Sequence, residues 1–410
     1  MMLAEMKGLD CQALQRLSAE MLDELKLDIL PFWMINAVDN EKGGYYGRIS
    51  NDLMIDANAP KGGILNSRIL WTFSSAYRVF GEKSYLRAAK RAFEFMCAHI
   101  WDKEYGGVYW MVDDGGRVIN ERKQAYNLAF AIYGLSEYYR VSGDEEALNM
   151  AKAVFYILER YYKDNVYGGY IEARSRDYSP IEDLRLSDKD KNDAKSMNTH
   201  LHILEAYTNL YRVWKSNDLR AALSKLLTAV LDHIVDDERH RFQLFFNEAW
   251  VSSADIVSYG HDIEGSWLLW EAAEVLGEEA LVQRSRTVSA QMAYEVLRYG
   301  VDKANGGIYN EKENGVLDTD KHWWPQAEAV VGFINAYQLT CDADFLDAAL
   351  KTWDFIKNHL VDKVHGEWFW RCDQTGNPYM DEPKVEPWKC PYHNGRACME
   401  IYERVLRLAG

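Results

Sequence analysis

The chain has 410 residues, 48% of them hydrophobic and 27% charged, and its 63 acidic against 47 basic side chains give a formal charge of −16. That sign repels polyanions, which excludes nucleic acid and anionic membrane as partners and leaves a small molecule that is not strongly anionic. No run of ~18 apolar residues occurs, the opening MMLAEMKGLDCQ has no apolar signal-peptide core, and Cys11, Cys97, Cys341, Cys372, Cys390 and Cys398 form no CxxC pair, so a soluble, reduced, cytoplasmic protein is expected.

An opening helix is predicted near 12–37. It is followed by GGYYGRIS from Gly43, the first of a series that continues with GGVYWMVD from Gly106, GGYIEARS from Gly168, GGIYNEKE from Gly306 and HGEWFWRC from His365. RFQLFFNE from Arg241 fills the one gap without its glycines, so six marks recur about sixty residues apart and define six units of one architecture. Between marks the apolar residues follow helical periodicity, near 64–80 and 84–100, 123–142 and 145–162, 197–216 and 219–235, 262–277 and 279–298, 324–340 and 344–360, and finally 393–408. The helix before a mark, such as RAAKRAFEFMCAHI, keeps one polar face; those after it, such as YNLAFAIYGLSEYY and AEAVVGFINAYQL, are apolar nearly all round. Six buried helices ringed by six amphipathic ones predict an all-α (α/α)6 barrel, or toroid, of about twelve helices with short β-hairpins in the connections, as one domain over 1–410. An open α-solenoid would need polar capping repeats at both ends, and none is evident.

The starts of the inner helices carry the chemistry: LNSRILW with Arg68, KQAYNLAF with Tyr126, SMNTHLHILEAY with Asn198 and His202, GHDIEGSWLLW with His261 and Glu264, HWWPQAEA with Trp324 and Glu328, and WKCPYHNGRACME with Trp388, His393 and Arg396. Asn198 and His202 share a helix face, as do His261 and Glu264, so that Glu264 is placed to orient His261. His99, His233, His240 and His359 fall on outer helices or their ends and read as structural. His200 and His202 point about 200° apart and cannot clamp one ion. HExxH, cysteine pairs, GxxxxGK[ST], GxGxxG and GxSxG are all missing, so neither a metal nor a nucleotide cofactor is expected. Histidines, one arginine and several tryptophans suit proton abstraction beside a carbonyl. An imidazole titrates near neutral pH with little tuning. Two of them on opposite faces of one carbon would invert it, and a positive Arg68 or a neutral donor near the oxygen would stabilise the enediolate charge. The rival classes are a glycoside hydrolase using Glu264 with Glu328 or Asp190 as paired carboxylates, and a non-catalytic carbohydrate-binding toroid.

LNSRILWTFSSAY, MNTHLHILEAYT, SYGHDIEGSWLLWEA, WWPQAEAVVGFINAYQ and WKCPYHNGRACMEI resemble the N-acylglucosamine 2-epimerase superfamily over about residues 31–404. The resemblance implies the same barrel and a reversible, cofactor-free epimerisation at C2 of the reducing-end sugar of a β-1,4-linked disaccharide; a monomer is expected. It also implies that His202, His261 and His393 are essential, that Arg68 and Glu264 belong to the site, and that Tyr126, Asn198, Trp324 and Trp388 contact sugar. Asp190, in LSDKD, matches a loop acid that reaches the second sugar. The implied route opens the pyranose and passes through a cis-enediol, with His261 and His393 as the acid/base pair and His202 assisting ring opening. Epimerases of mannobiose or of N-acylglucosamine, and aldose–ketose isomerases on the same barrel, are the alternatives.

Overall fold

In the computed structural model, which describes residues 8–252 and 254–409, the helices alternate between two rings. They are α1 Gly8–Glu24, α2 Leu30–Ile35, α3 Gly63–Phe80, α4 Lys83–Phe95, α5 Ala125–Ser142, α6 Glu145–Ile157, α7 Met197–Val213, α8 Asn217–Ala229, α9 Tyr259–Leu276, α10 Glu279–Glu295, α11 Trp323–Thr340, α12 Ala343–Phe355 and α13 Tyr392–Ala409. From α3 to α13 the odd-numbered helices form the inner ring, each packed on the next, and α13 returns to pack on α3. Around them, α4, α6, α10 and α12 lie on α3, α5, α9 and α11, α8 bridges α7 and α9, and α1 covers α13. The pattern is an (α/α)6 barrel. The closed inner ring answers the solenoid alternative, since no terminal repeat is left uncovered among the described residues. The opening segment read for a signal peptide falls mostly outside them, and no described helix is long and apolar enough to cross a membrane.

The predicted helices are observed to within a few residues, with one regular difference. Five outer helices do not continue as α-helix to their predicted ends but finish in five-residue π-turns, Met96–Ile100, Leu158–Tyr162, Val230–Ile234, Val296–Gly300 and Ile356–Leu360, and a sixth π-turn, Leu25–Ile29, lies between α1 and α2. A single π-turn often marks a functional site; five at equivalent places belong to the architecture. Each of these five widens the last turn and delivers the chain into a β-bridge or a two-residue strand pair across the following mark, as in Trp101 with Val108 and Val235–Asp236 with Arg241–Phe242.

Short strands then lock each unit to the next around one mouth of the barrel. Lys61–Gly62 pairs with Met111–Val112, Lys123–Gln124 with Ala173–Arg174, Lys195–Ser196 with Phe245–Phe246, Ile256–Ser258 with Glu311–Glu313, and Lys321–His322 with Arg371–Cys372. The Ile49–Val385 bridge closes the circle. Because each first strand ends where an inner helix begins, five of the six inner-helix starts are held at this mouth, and α13 begins seven residues after the Val385 bridge.

A buried ion pair recurs in five of the six units, four times on such a strand and once beside the Val385 bridge. The aspartate four residues before the glycines meets the lysine ahead of the inner helix: Asp39–Lys61 at 2.7 Å, Asp102–Lys123 at 3.0 Å, Asp164–Lys195 at 2.8 Å, Asp302–Lys321 at 2.9 Å and Asp362–Lys384 at 2.7 Å. Three of the lysines also donate to the carbonyl of the first glycine. The unit lacking glycines holds the same place by other means. His240 takes the left-handed turn at φ 52°, and Asp262 accepts a hydrogen bond from the Phe242 amide at 2.8 Å. In the last unit Glu367 stands where the second glycine would be, at φ 60°. Its buried carboxylate takes Trp33 Nε1 at 2.8 Å, Lys389 Nζ at 3.1 Å and Asn394 Nδ2 at 2.7 Å, contacts that offset a strain of about 1–3 kcal/mol.

The outer histidines are structural, as expected. His99 and His359 lie under Gly116 and Gly376, where an added Cβ would fall 2.1 and 2.0 Å from a ring nitrogen, and His233 stacks on Trp250.

Candidate active site

A cavity of about 610 Å³ opens at the strand-bearing mouth, within the ordinary size of a small-ligand site. Four of the ten predicted site residues line it: Asp190 from the loop before α7, Asn198 on α7, His261 on α9 and Trp324 on α11. His393 and His261 both pack against the Trp324 indole, with ring centroids 5.6 and 4.7 Å from it. The two imidazoles thus meet on one indole from different helices, His261 lining the cavity and His393 standing behind Trp324. His202 lies beside them, its ring 5.0 Å from Tyr126 and 4.7 Å from Phe130. Arg68 donates to the Tyr126 hydroxyl at 2.7 Å and to the Trp388 carbonyl at 3.3 Å, and its Nε is buried without a partner. Trp388 is half-buried and stands 5.9 Å from Tyr126. The ten residues therefore gather at one mouth. Asn198 contributes a buried, unpartnered Oδ1 to the cavity wall, an acceptor waiting for a donor.

Each histidine is held through Nδ1. His202 donates to Glu205 Oε2 at 2.8 Å, His393 donates to Glu328 Oε1 at 2.7 Å, and His261 shares a hydrogen bond of 2.7 Å with Ser258 Oγ. With Nδ1 engaged on all three, Nε2 is the nitrogen left to act on a ligand. Burial favours the uncharged rings. It pushes His261 down to about 3, His393 well below 6.5, and His202 downward despite the pull of Glu205. Each ring is therefore neutral at pH 7 and able to accept a proton.

Glu264 is not where the i,i+3 spacing put it. Its carboxylate turns away from His261, which pairs with Ser258, and accepts from Arg396 Nη2 at 2.6 Å. His393 Nδ1 is 3.9 Å away from it. Arg396 Nη2 also donates to Glu328 at 2.6 Å, and its Nη1 to Glu205. Burial, then repulsion from Glu328, pushes the Glu264 carboxyl up, against the pull of Arg396. For Glu205 burial acts upward, but the Arg396 charge and the bond from His202 outweigh it and bring the carboxyl to about 2. Sharing one guanidinium nitrogen, Glu264 and Glu328 cannot flank a scissile bond as a hydrolase pair would. Glu264, Glu328 and His393 also bring ligand atoms within 4.8 Å of one another, a spacing that suits a metal ion. The cationic charge there is supplied by Arg396.

Glu205, Ser258 and Tyr392, whose hydroxyl donates to Glu205, were not picked out in the sequence, although Glu205 stands three residues after His202, a spacing as legible as that of His261 and Glu264. His200 points out of the site, as expected. It donates from Nδ1 to the Ser196 carbonyl at 2.7 Å and accepts the Tyr170 amide on Nε2 at 2.9 Å, which only the neutral ring can do. Burial lowers it to about 4 from its ordinary 6.5. The unfolded chain therefore binds more protons between those values, so His200 contributes stability that is complete above pH 6.5 and lost as pH falls toward 4. Urea unfolding midpoints are expected to drop from pH 6.5 to 5, above most carboxylate titration, and His200→Gln is expected to flatten that slope.

The N-acylglucosamine 2-epimerase (GlcNAc 2-epimerase) family model matches residues 44–397, and the chain belongs to this family. Within it, the chain is 47% identical to the cellobiose 2-epimerase of Bacteroides fragilis, over 94% of this chain and 98% of that one. It is 41% identical to the cellobiose 2-epimerase of Ruminococcus albus, again over 94% and 98%. The solved structure of the cellobiose 2-epimerase from Bacillus thermoamylovorans superposes with a TM-score of 0.92 at 40% identity, covering 95% of this chain and all of that one.

Proposed function

We propose that this protein is a cellobiose 2-epimerase, inverting C2 of the reducing-end sugar of cellobiose to give glucosyl-mannose, and of lactose to give epilactose. The observation that carries this is the set of three neutral imidazoles at one mouth, each anchored by Nδ1, two of them on a single tryptophan. In this scheme His202 assists opening of the pyranose ring. One of His261 and His393 takes the C2 proton on Nε2, and the electron pair moves onto the C1 oxygen as a cis-enediolate. Arg68 stabilises that charge. After rotation of the open chain, the other imidazole of the pair, having taken a proton from solvent on its Nε2, delivers it to the opposite face of C2. The first imidazole gives its proton up to solvent, and the ring closes. Tyr126, Asn198, Trp324 and Trp388 hold the reacting sugar, Asp190 reaches the second one, and Glu264 acts from behind His393 rather than on the sugar. A monomer suffices, because every one of these residues comes from a single chain, and the six unpaired cysteines suit a reducing cytoplasm. Return of the proton to C1 instead would release a ketose, lactulose in the case of lactose.

Incubation with cellobiose and with lactose, without added metal or nucleotide, is expected to yield mannose-ended disaccharides, carrying deuterium at C2 when run in deuterated water. Recovery of both sugars unchanged would overturn the assignment. Release of monosaccharide would favour a hydrolase.

A further inference from the structure

Arg396 stands on α13 three residues after His393 and is fully buried, its guanidinium 4.3 Å from the Tyr392 ring and 4.8 Å from that of Trp267. It meets carboxylates from three other inner helices. Nη1 donates to Glu205 on α7, and Nη2 donates to Glu264 on α9 and Glu328 on α11. Two of these carboxylates carry histidines, Glu205 through His202 and Glu328 through His393. A single planar fork therefore stands behind two imidazoles on separate helices.

We propose that Arg396 is a positioning residue for the epimerisation, which through Glu205 and Glu328 locks His202 and His393 into one tautomer and one mutual orientation. This role presupposes the epimerase function proposed above. An imidazole has two nitrogens of nearly equal basicity, and a carboxylate fixed on Nδ1–H is what reserves the Nε2 lone pair for the substrate. Such a carboxylate can do so only if it does not turn. Glu205 also borders a second cavity of about 630 Å³, at the opposite mouth of the barrel, where Arg78, Arg212 and Arg404 lie. Without Arg396, those arginines and water would compete with His202 for it. A guanidinium meets the three carboxylates in fixed directions, whereas a lysine ammonium is a point charge on a flexible stem.

The test uses full-length protein with 15N-labelled histidine, comparing the unsubstituted chain with Arg396→Lys and Glu205→Gln. In the unsubstituted chain His202 and His393 are expected to show a protonated Nδ1 and an unprotonated Nε2. Arg396→Lys is expected to average both patterns and to lower kcat for cellobiose by about 100-fold, with KM changed less than about threefold, as for misplaced catalytic groups. Glu205→Gln is expected to disturb the His202 signals alone. Retention of both Nδ1–H tautomers in Arg396→Lys, or of the original kcat, overturns the proposal. If Arg396→Lys does not fold, Glu205→Gln decides, and an unchanged His202 signal overturns it. Failure of the epimerase function would show separately, as no conversion by the unsubstituted chain, since the tautomers are read without substrate.

Discussion

Alanine at His261 or at His393 is expected to lower kcat for cellobiose by about 10²–10⁴-fold, the span general acid–base groups supply, while the protein stays folded. Folding should survive because neither ring carries the frame. His261→Ala frees only the Ser258 hydroxyl, and His393→Ala leaves Glu328 bonded to Arg396 and Trp267. Deuterium exchange separates the two roles. A chain that keeps one of the paired bases can still exchange the C2 proton of the epimer that base faces, without inverting it. Progress curves, C2 label in recovered sugar and thermal unfolding together check this outcome. Substantial turnover by both variants would overturn the acid/base assignment.

Asp302→Ala is expected to cost about 3–5 kcal/mol of stability, as measured by urea unfolding at pH 7, because it strands a buried charge. Lys321 is fully buried and pairs with Asp302 at 2.9 Å, with its ammonium 4.2 Å from the Tyr309 ring. The same carboxylate accepts the amides of Ala304 at 3.0 Å and Asn305 at 3.1 Å, so the turn before the glycines loses its organiser too. Combining Asp302→Ala with Lys321→Met is expected to recover part of the loss, since an apolar group has no charge to desolvate. Lys321 lies three residues before Trp324, so the single substitution should also lower activity. Equal stability of the single and double variants would show that the turn amides, not the stranded ammonium, dominate.

The ring of helices was legible because burial imposes one period on the inner helices and another on the outer ones, and because paired glycines punctuate the chain. The π-turns were not legible. A wider turn at a helix end leaves the apolar spacing almost unchanged, so the predicted helices ran through to 100, 162 and 360 without a break. The lysine–aspartate pairs were in plain view as letters, yet charged residues are ordinarily solvated, and nothing local says that Lys61 will be buried beside Asp39. At the site, the histidines stood out by recurring at helix starts, and the family resemblance sharpened them. Their partners did not. His202 with Glu205 and His261 with Glu264 share the same spacing, but only the first pair bonds. Arg396, from the far end of the chain, draws Glu264 away, and Ser258 takes its place.

The Ile49–Val385 bridge and the packing of α13 on α3 leave the barrel without a first or a last sector. In a linear stack the outermost member has one interface to lose and frays first. Here any sector that melts must part from two neighbours at once, so the cavity floor has no weak flank from which loosening can spread.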